Sequence, residues 1–435
     1  MTEKHRSTRF VPATTLWLGV LAFAPGCSIA PAPVPTPRAA PQATQAPEIP
    51  ALVMASPVEH LGRRTREPMV VEHPNGTLFV AGYGESTPTL WASHDGGAAW
   101  SRVEVGTEAE GAIGNSDVDL AVAPNGTLYF VSMLFDREAS EGTQISIGVS
   151  RDVGATWSWT LLSDTRFDDR PWVEVATDGT PHVIWNDGEG VCHATSPDDG
   201  RTWGEQNRIT PQGGSSHLAV GPNGEIAARI VPYSASGNKN HPGVDLIAVS
   251  TNGGRSWRKR PAPGRRKWTF PLSDETTLPR WVEPLAWDAQ GHLYSLWSNE
   301  EGLWLARSTD QGANWSRWLV VQSADPMYFP YLVARGPGEL AATWFSGPEA
   351  TMHAHVARFQ VGPGDAPPQV IEAPPFQPDS WSRTPAQEGA PLPRDPGGEY
   401  LAVTFLKKGG LGLVSPIQNP GEQRYGFSWW RVGTR

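Results

Sequence analysis

Only two cysteines, Cys27 and Cys192, occur in 435 residues, too few for a disulfide framework. Charged residues make up 18% of the chain, with a formal net charge of −10. Without a basic excess there is no electrostatic footprint for tracking phosphates, so nucleic acid is excluded as a partner. No Cys/His cluster, no His-Glu-x-x-His, no glycine-rich phosphate loop and no dinucleotide fingerprint is present, so no metal and no cofactor is the expectation. His353 and His355 alternate on one strand face and read as incidental rather than as metal ligands. No apolar run reaches the roughly 20 residues that a spanning helix needs. What is abundant is breakers and tryptophan, with 42 Pro, 46 Gly and 20 Trp. The breakers exclude long helices and coiled coils, and the tryptophans demand a packed core rather than a solvated chain.

The beginning of the chain reads as an address. Lys4, Arg6 and Arg9 precede a short apolar run from Leu16 to Ala24, the pattern of a signal peptide. Ala24-Pro25-Gly26-Cys27 resembles the lipobox of bacterial lipoproteins, which implies cleavage after residue 26 and a lipid on Cys27. Residues 1–26 are then a lipoprotein-type signal peptide and 27–55 a Pro-rich tether. The resemblance implies an exported outer-membrane or cell-surface lipoprotein touching the membrane through its anchor only; a secreted or periplasmic protein is the alternative.

One octet recurs: Ser93 to Trp100, Ser150 to Trp157, Ser196 to Trp203, Ser250 to Trp257 and Ser308 to Trp315, each with Asp or Asn at its third place and Gly at its fifth. The steps of 57, 46, 54 and 58 residues between their serines indicate propeller blades or another β array. The chemistry is that of a hairpin turn, in which the carboxylate or amide accepts backbone N–H bonds and glycine supplies a positive φ. The octets therefore read as structural. Upstream of each lies a second repeat of strand, tight turn, strand, turned at Asn75-Gly76, Asn125-Gly126, Asp178-Gly179, Asn223-Gly224 and Gln290-Gly291. Two more follow, at Pro337-Gly338 and Pro396-Gly397. Seven hairpins and five octets make an all-β fold: a single seven-bladed β-propeller of four-stranded antiparallel blades over residues 56–435, with a six-bladed wheel as the alternative. Closure is expected from residues 51–60 pairing with the last blade.

The octets resemble the Asp boxes of the sialidase (neuraminidase) superfamily, and the chain from about residue 60 onward resembles its propellers. Thr65-Arg66-Glu67-Pro68 is similar to that family's Arg-Ile-Pro motif, with Glu67 in place of Ile. The resemblance implies that Arg66 binds a substrate carboxylate, for which a guanidinium fork is suited. Arg170 and Arg280 enter alternate blades at similar offsets and would complete a triad. It further implies a tyrosine nucleophile, Tyr328 or Tyr331, assisted by Glu283, and a proton donor, Asp117 or Asp119.

The hairpin turns and octets share one face of a four-stranded blade, so ligand groups are expected on the other. A basic island, Arg258-Lys259-Arg260 and Arg265-Arg266-Lys267, would attract anionic ligands such as acidic glycans, or stand as a solvated loop. Two functions remain open. One is a sialidase-like monomer that binds, and as an enzyme hydrolyses, acidic extracellular glycans in the manner of an exo-sialidase. The other is a non-catalytic surface propeller for a protein or polysaccharide.

Overall fold

The computed structural model describes residues 51–55, 58–61, 65–84, 86–232, 243–268, 282–347, 353–376, 400–419 and 424–434. Cys27, Arg280 and the Pro396-Gly397 pair lie outside them.

Among the described residues, seven antiparallel sheets follow one another along the chain, each running from an inner to an outer strand. They form a β-propeller. Blade 1 comprises Arg66–Glu72, Leu78–Tyr83, Thr89–Ser93 and Ser101–Val103, and blade 2 comprises Ser116–Val122, Leu128–Asp136, Glu141–Ser150 and Ser158–Ser163. Blade 3 is Asp168–Val175, Pro181–Asp187, Val191–Thr195 and Asn207–Thr210; blade 4 is Gly214–Val220, Ile226–Val231, Leu246–Ser250 and Arg258–Pro261. Blades 5 and 6 begin at Leu285–Trp287 and Met327–Ala334 and end at Ser316–Gln322 and Gln369–Glu372. A small ribbon, Gly243–Val244 against Lys267–Trp268, is added to blade 4.

Blade 7 is assembled from both ends of the chain. Its strands Ala402–Phe405, Leu411–Asn419 and Arg424–Thr434 are completed by Leu52–Met54 and Val58–Leu61, which pair with the last of them. This removes the free edge that an open ring would leave. It also explains the missing octet, because no turn joins the third and fourth strands of this blade. The inner hairpin of blade 7 turns at Lys407–Gly410, where Leu406 N donates to Gly410 O at 3.1 Å. It does not turn at Pro396-Gly397, since the strand begins only at Ala402.

The turn chemistry follows the sequence. Asn75 and Asn125 each accept the backbone N–H two residues on, at 2.9 Å. In the octets, Asp95, Asp152, Asp198, Asn252 and Asp310 each accept from the leading serine hydroxyl at 2.8–3.0 Å. The serine oxygen in turn accepts the glycine N–H at 2.7–2.9 Å. Gly97 shows why glycine is required: φ is +96°, and a Cβ would overlap the Trp429 indole of blade 7. Both turn types lie on one rim. Asn125, in the hairpin turn of blade 2, donates to Asp199 in the octet of blade 3 at 3.1 Å.

Tryptophans fill the seams between blades: Trp172, Trp185, Trp297 and Trp344 are all buried, and each such side chain contributes on the order of 2–3 kcal/mol. Cys192 is buried too, its thiol donating to Asp187 at 3.2 Å. No helix of the described residues is long and apolar enough to cross a membrane.

Candidate functional site

On the face opposite the octets, five inner strands slip register just after they start. The slips fall between Arg66 and Met69, Ser116 and Val118, Asp169 and Trp172, Ser215 and His217, and Tyr328 and Tyr331. A bulge inserts an extra residue and re-aims side chains, so Glu67, Asp117, Arg170, Ser216 and Phe329 ring the mouth of the hub. Three of them precede a proline and take left-handed backbone: Glu67 at φ +51°, Arg170 at +49° and Phe329 at +49°. Such conformations cost on the order of 1–3 kcal/mol each and persist only where the surroundings impose them. Arg66 and Arg170 are therefore not equivalent. Arg66 stands before its bulge, aligned with Asp169 and Tyr328, whereas Arg170 occupies the bulge itself, aligned with Glu67.

Glu67 is the centre of the best-formed cluster. Tyr83, on the neighbouring strand, donates its phenol to Glu67 Oε1 at 2.8 Å, and both residues are buried. Burial first, then the negative charge of Asp117, pushes the Glu67 carboxyl up to about 7, against the opposing pull of Arg66, the Tyr83 bond and Arg170. The Tyr83 phenol is likewise held well above its ordinary value by burial and by Glu67. A carboxylic acid that titrates near neutrality beside two guanidiniums can give or take a proton. Gly82 leaves room for this arrangement, since a Cβ there would sit 2.5 Å from the Phe427 ring and 3.0 Å from the Arg66 carbonyl.

The other expected residues are placed differently. Arg170 is buried, with its Nε 3.9 Å from Asp169 Oδ2 and its carbonyl accepting from Ser215 Oγ at 2.8 Å. Asp119 accepts from Leu120 N at 2.8 Å and Val173 N at 2.9 Å, which ties blade 2 to blade 3; burial raises its carboxyl well above the usual range. Asp117 is half-buried and receives the Ser116 hydroxyl at 3.3 Å.

Tyr331 lies within the channel, its ring edge-on to His217 at 6.1 Å and its hydroxyl 3.9 Å from Met69 Sδ. His217 and Tyr400 in turn flank Trp172 at 4.9 and 5.6 Å. Tyr328 stands before the blade 6 bulge, 6.4 Å from Phe329 ring to ring. Among the described residues, the tyrosine–glutamate hydrogen bond at this face is made by Tyr83 and Glu67, not by Tyr328 or Tyr331 with Glu283.

Glu283 belongs to a separate network between blades 4 and 5. One carboxylate oxygen takes Arg229 Nη2, and the other lies 3.3 Å from Arg266 Nη2. Asp245 lies 3.4 Å from the same Arg229 nitrogen and also receives the Trp268 indole. Arg229 is fully buried. Arg229 and Asp245 escaped the sequence reading because Arg229, deep in a strand, looks like any outward cation. Tyr83 escaped it because its partner is fixed only by blade pairing. Farther down the channel a cleft of about 220 Å³ opens among the inner strands of blades 1, 2, 3 and 7, lined by Glu72, Glu174 and Lys407. Glu174 is exposed on this cleft, and partial desolvation by its walls raises the carboxyl.

The chain matches no family model and no curated protein sequence. Solved propellers are similar to it in fold. The α-L-arabinofuranosidase Arb93A of Fusarium graminearum is 16% identical, covering 68% of this chain and 93% of its own, at a TM-score of 0.46. An ulvan lyase of polysaccharide lyase family 25 is 12% identical over 87% of this chain and 96% of its own, at 0.48. The Trypanosoma rangeli sialidase is 14% identical over 72% and 60%, at 0.44.

Proposed function

We propose that this propeller binds an acidic extracellular glycan at the hub mouth of blades 1 to 3, and that the domain is held at the cell surface by a lipid on Cys27. The observation that carries the reading is that the bulged starts of blades 1 and 3 set Arg66 and Arg170 at the same mouth as the buried Tyr83–Glu67 hydrogen bond, near enough for both guanidiniums to act on the Glu67 carboxyl. A guanidinium fork at this mouth matches the two oxygens of an incoming carboxylate. Asp117 and Tyr83 beside it offer the acceptors and donors that sugar hydroxyls require. A second reading, hydrolysis, is favoured by one specific feature: the Tyr83–Glu67 bond is a proton-transfer pair of the kind that serves a phenol nucleophile. Arg280 would join either site as a third carboxylate ligand.

Calorimetric titration with sialyllactose and with a uronate oligosaccharide tests the first reading. The wild type binds at least one, and Arg66→Ala weakens it about tenfold or more, the worth of a charge-assisted bond. Failure of the wild type to bind either ligand overturns the proposal. Release of fluorophore from a sialoside by the wild type, abolished in Tyr83→Phe, separates turnover from recognition.

A further inference from the structure

Residues 255–267 carry Arg255, Arg258, Lys259, Arg260, Arg265, Arg266 and Lys267, seven of the 35 basic residues of the chain, with no Asp or Glu among them. The structure places Arg258–Pro261 on the outer edge of blade 4, where it pairs on one side only, with Leu246–Val249, and the stretch then turns back so that Lys267–Trp268 pairs with Gly243–Val244 beside it. Arg255, Arg258, Lys259, Arg265 and Lys267 are exposed. Of the seven, only Arg266 forms an ion pair among the described residues. The contrast with blade 3 is direct, because Arg208 on its outer strand is paired with Asp187. Protection of the edge against pairing with another strand does not account for so many cations: the outer strands Ser101–Val103, Asn207–Thr210 and Ser316–Gln322 carry one each, and Ser158–Ser163 none. Beside Lys259 a cleft of about 170 Å³ opens between blades 3 and 4, its walls including Thr210, Gln212, Val231 and Val244. Polar rims and an apolar floor suit the edges and faces of sugar rings.

We propose that the outer edge of blade 4 is a second docking surface, for an extended acidic polysaccharide, separate from the hub mouth. On a protein of net charge −10, a cluster of exposed cations, all but Arg266 without an ion pair among the described residues, draws a polyanion to that edge. Strand geometry sets Arg258 and Arg260 about 7 Å apart on one side with Lys259 on the other, so a chain laid along the strand meets several cations in succession. Each contact releases a counterion, which makes the affinity fall with salt.

The test uses the full mature chain, wild type against the quadruple variant R258S/K259S/R265S/K267S, with polygalacturonate and dextran sulfate as probes. Dissociation constants are read across NaCl from about 50 to about 300 mM. The wild type binds one or both polymers with a steep salt dependence. The variant loses about tenfold or more in affinity at low salt, and its salt slope flattens by several charges. The quadruple variant leaves the sialyllactose titration at the hub unchanged, whereas Arg66→Ala weakens it, so failure at the hub and failure at the edge give different results. Equal polymer affinity and slope in wild type and variant overturn the proposal. So does self-association of the variant in light scattering with polymer binding retained, which would make edge protection the role of these cations. Tighter binding of the wild type to anionic phospholipid vesicles than to either polymer, lost in the variant, would assign the edge to a membrane instead.

Discussion

Glu67 offers the sharpest measurement. In the folded protein its carboxyl titrates near pH 7, against an ordinary value of 4.5. Below about pH 4.5 both folded and unfolded chains keep the proton, and the group does not distinguish them. Between 4.5 and 7 the unfolded chain ionises while the folded one does not, so stability falls as pH rises and the loss is complete above about 7. At about 1.4 kcal/mol for each tenfold difference in proton affinity, the gap amounts to about 3 kcal/mol. Glu67→Gln removes this dependence while keeping an amide oxygen for Tyr83. Urea denaturation at pH 4.5 and pH 8 should therefore show the variant gaining about 3 kcal/mol on the wild type between the two conditions. Asp119 and Glu174 titrate in both proteins, so their contribution cancels in the difference. Tyr83→Phe should push the Glu67 carboxyl up further, by about one to two pH units, because it removes a bond to the charged form; this can be read by carbon-13 NMR of the carboxyl. Parallel pH profiles for wild type and Glu67→Gln would refute the burial argument.

Two further outcomes follow from the same structure. Glu283→Ala leaves the fully buried Arg229 with Asp245 as its remaining ion-pair partner among the described residues, and should cost about 3–5 kcal/mol in a denaturant titration; a loss under about 1 kcal/mol would show that the network is not needed. Asp152→Ala removes an acceptor for both Ser150 Oγ and Thr156 N and should cost about 1 kcal/mol, while calorimetry finds glycan affinity unchanged, since the octets lie on the opposite rim. A loss of glycan binding in that variant, with stability retained, would place the ligand on the wrong face.

The sequence by itself determined the blades. An octet and a hairpin turn copied at blade-length intervals specify local backbone, and local backbone needs no distant partner: Asn75 bonds Thr77, and Ser93 bonds Asp95, within a few residues. Closure through residues 51–60 was also legible, because a ring of hairpins ending on an unpaired strand needs one more. The seventh turn was misjudged because Pro396-Gly397 has the look of a turn, whereas Lys407–Gly410 has the strands on either side to make one. The hub belonged to tertiary structure alone. Whether Arg66 or Arg170 sits on a bulge depends on a one-residue slip in register, invisible in spacing. The partner of Glu67 is set by the strand beside it, and Glu283 meets Arg229 only because blades 4 and 5 pack together. Long-range contact decides which charges are buried, and burial decides which of them titrate near neutrality.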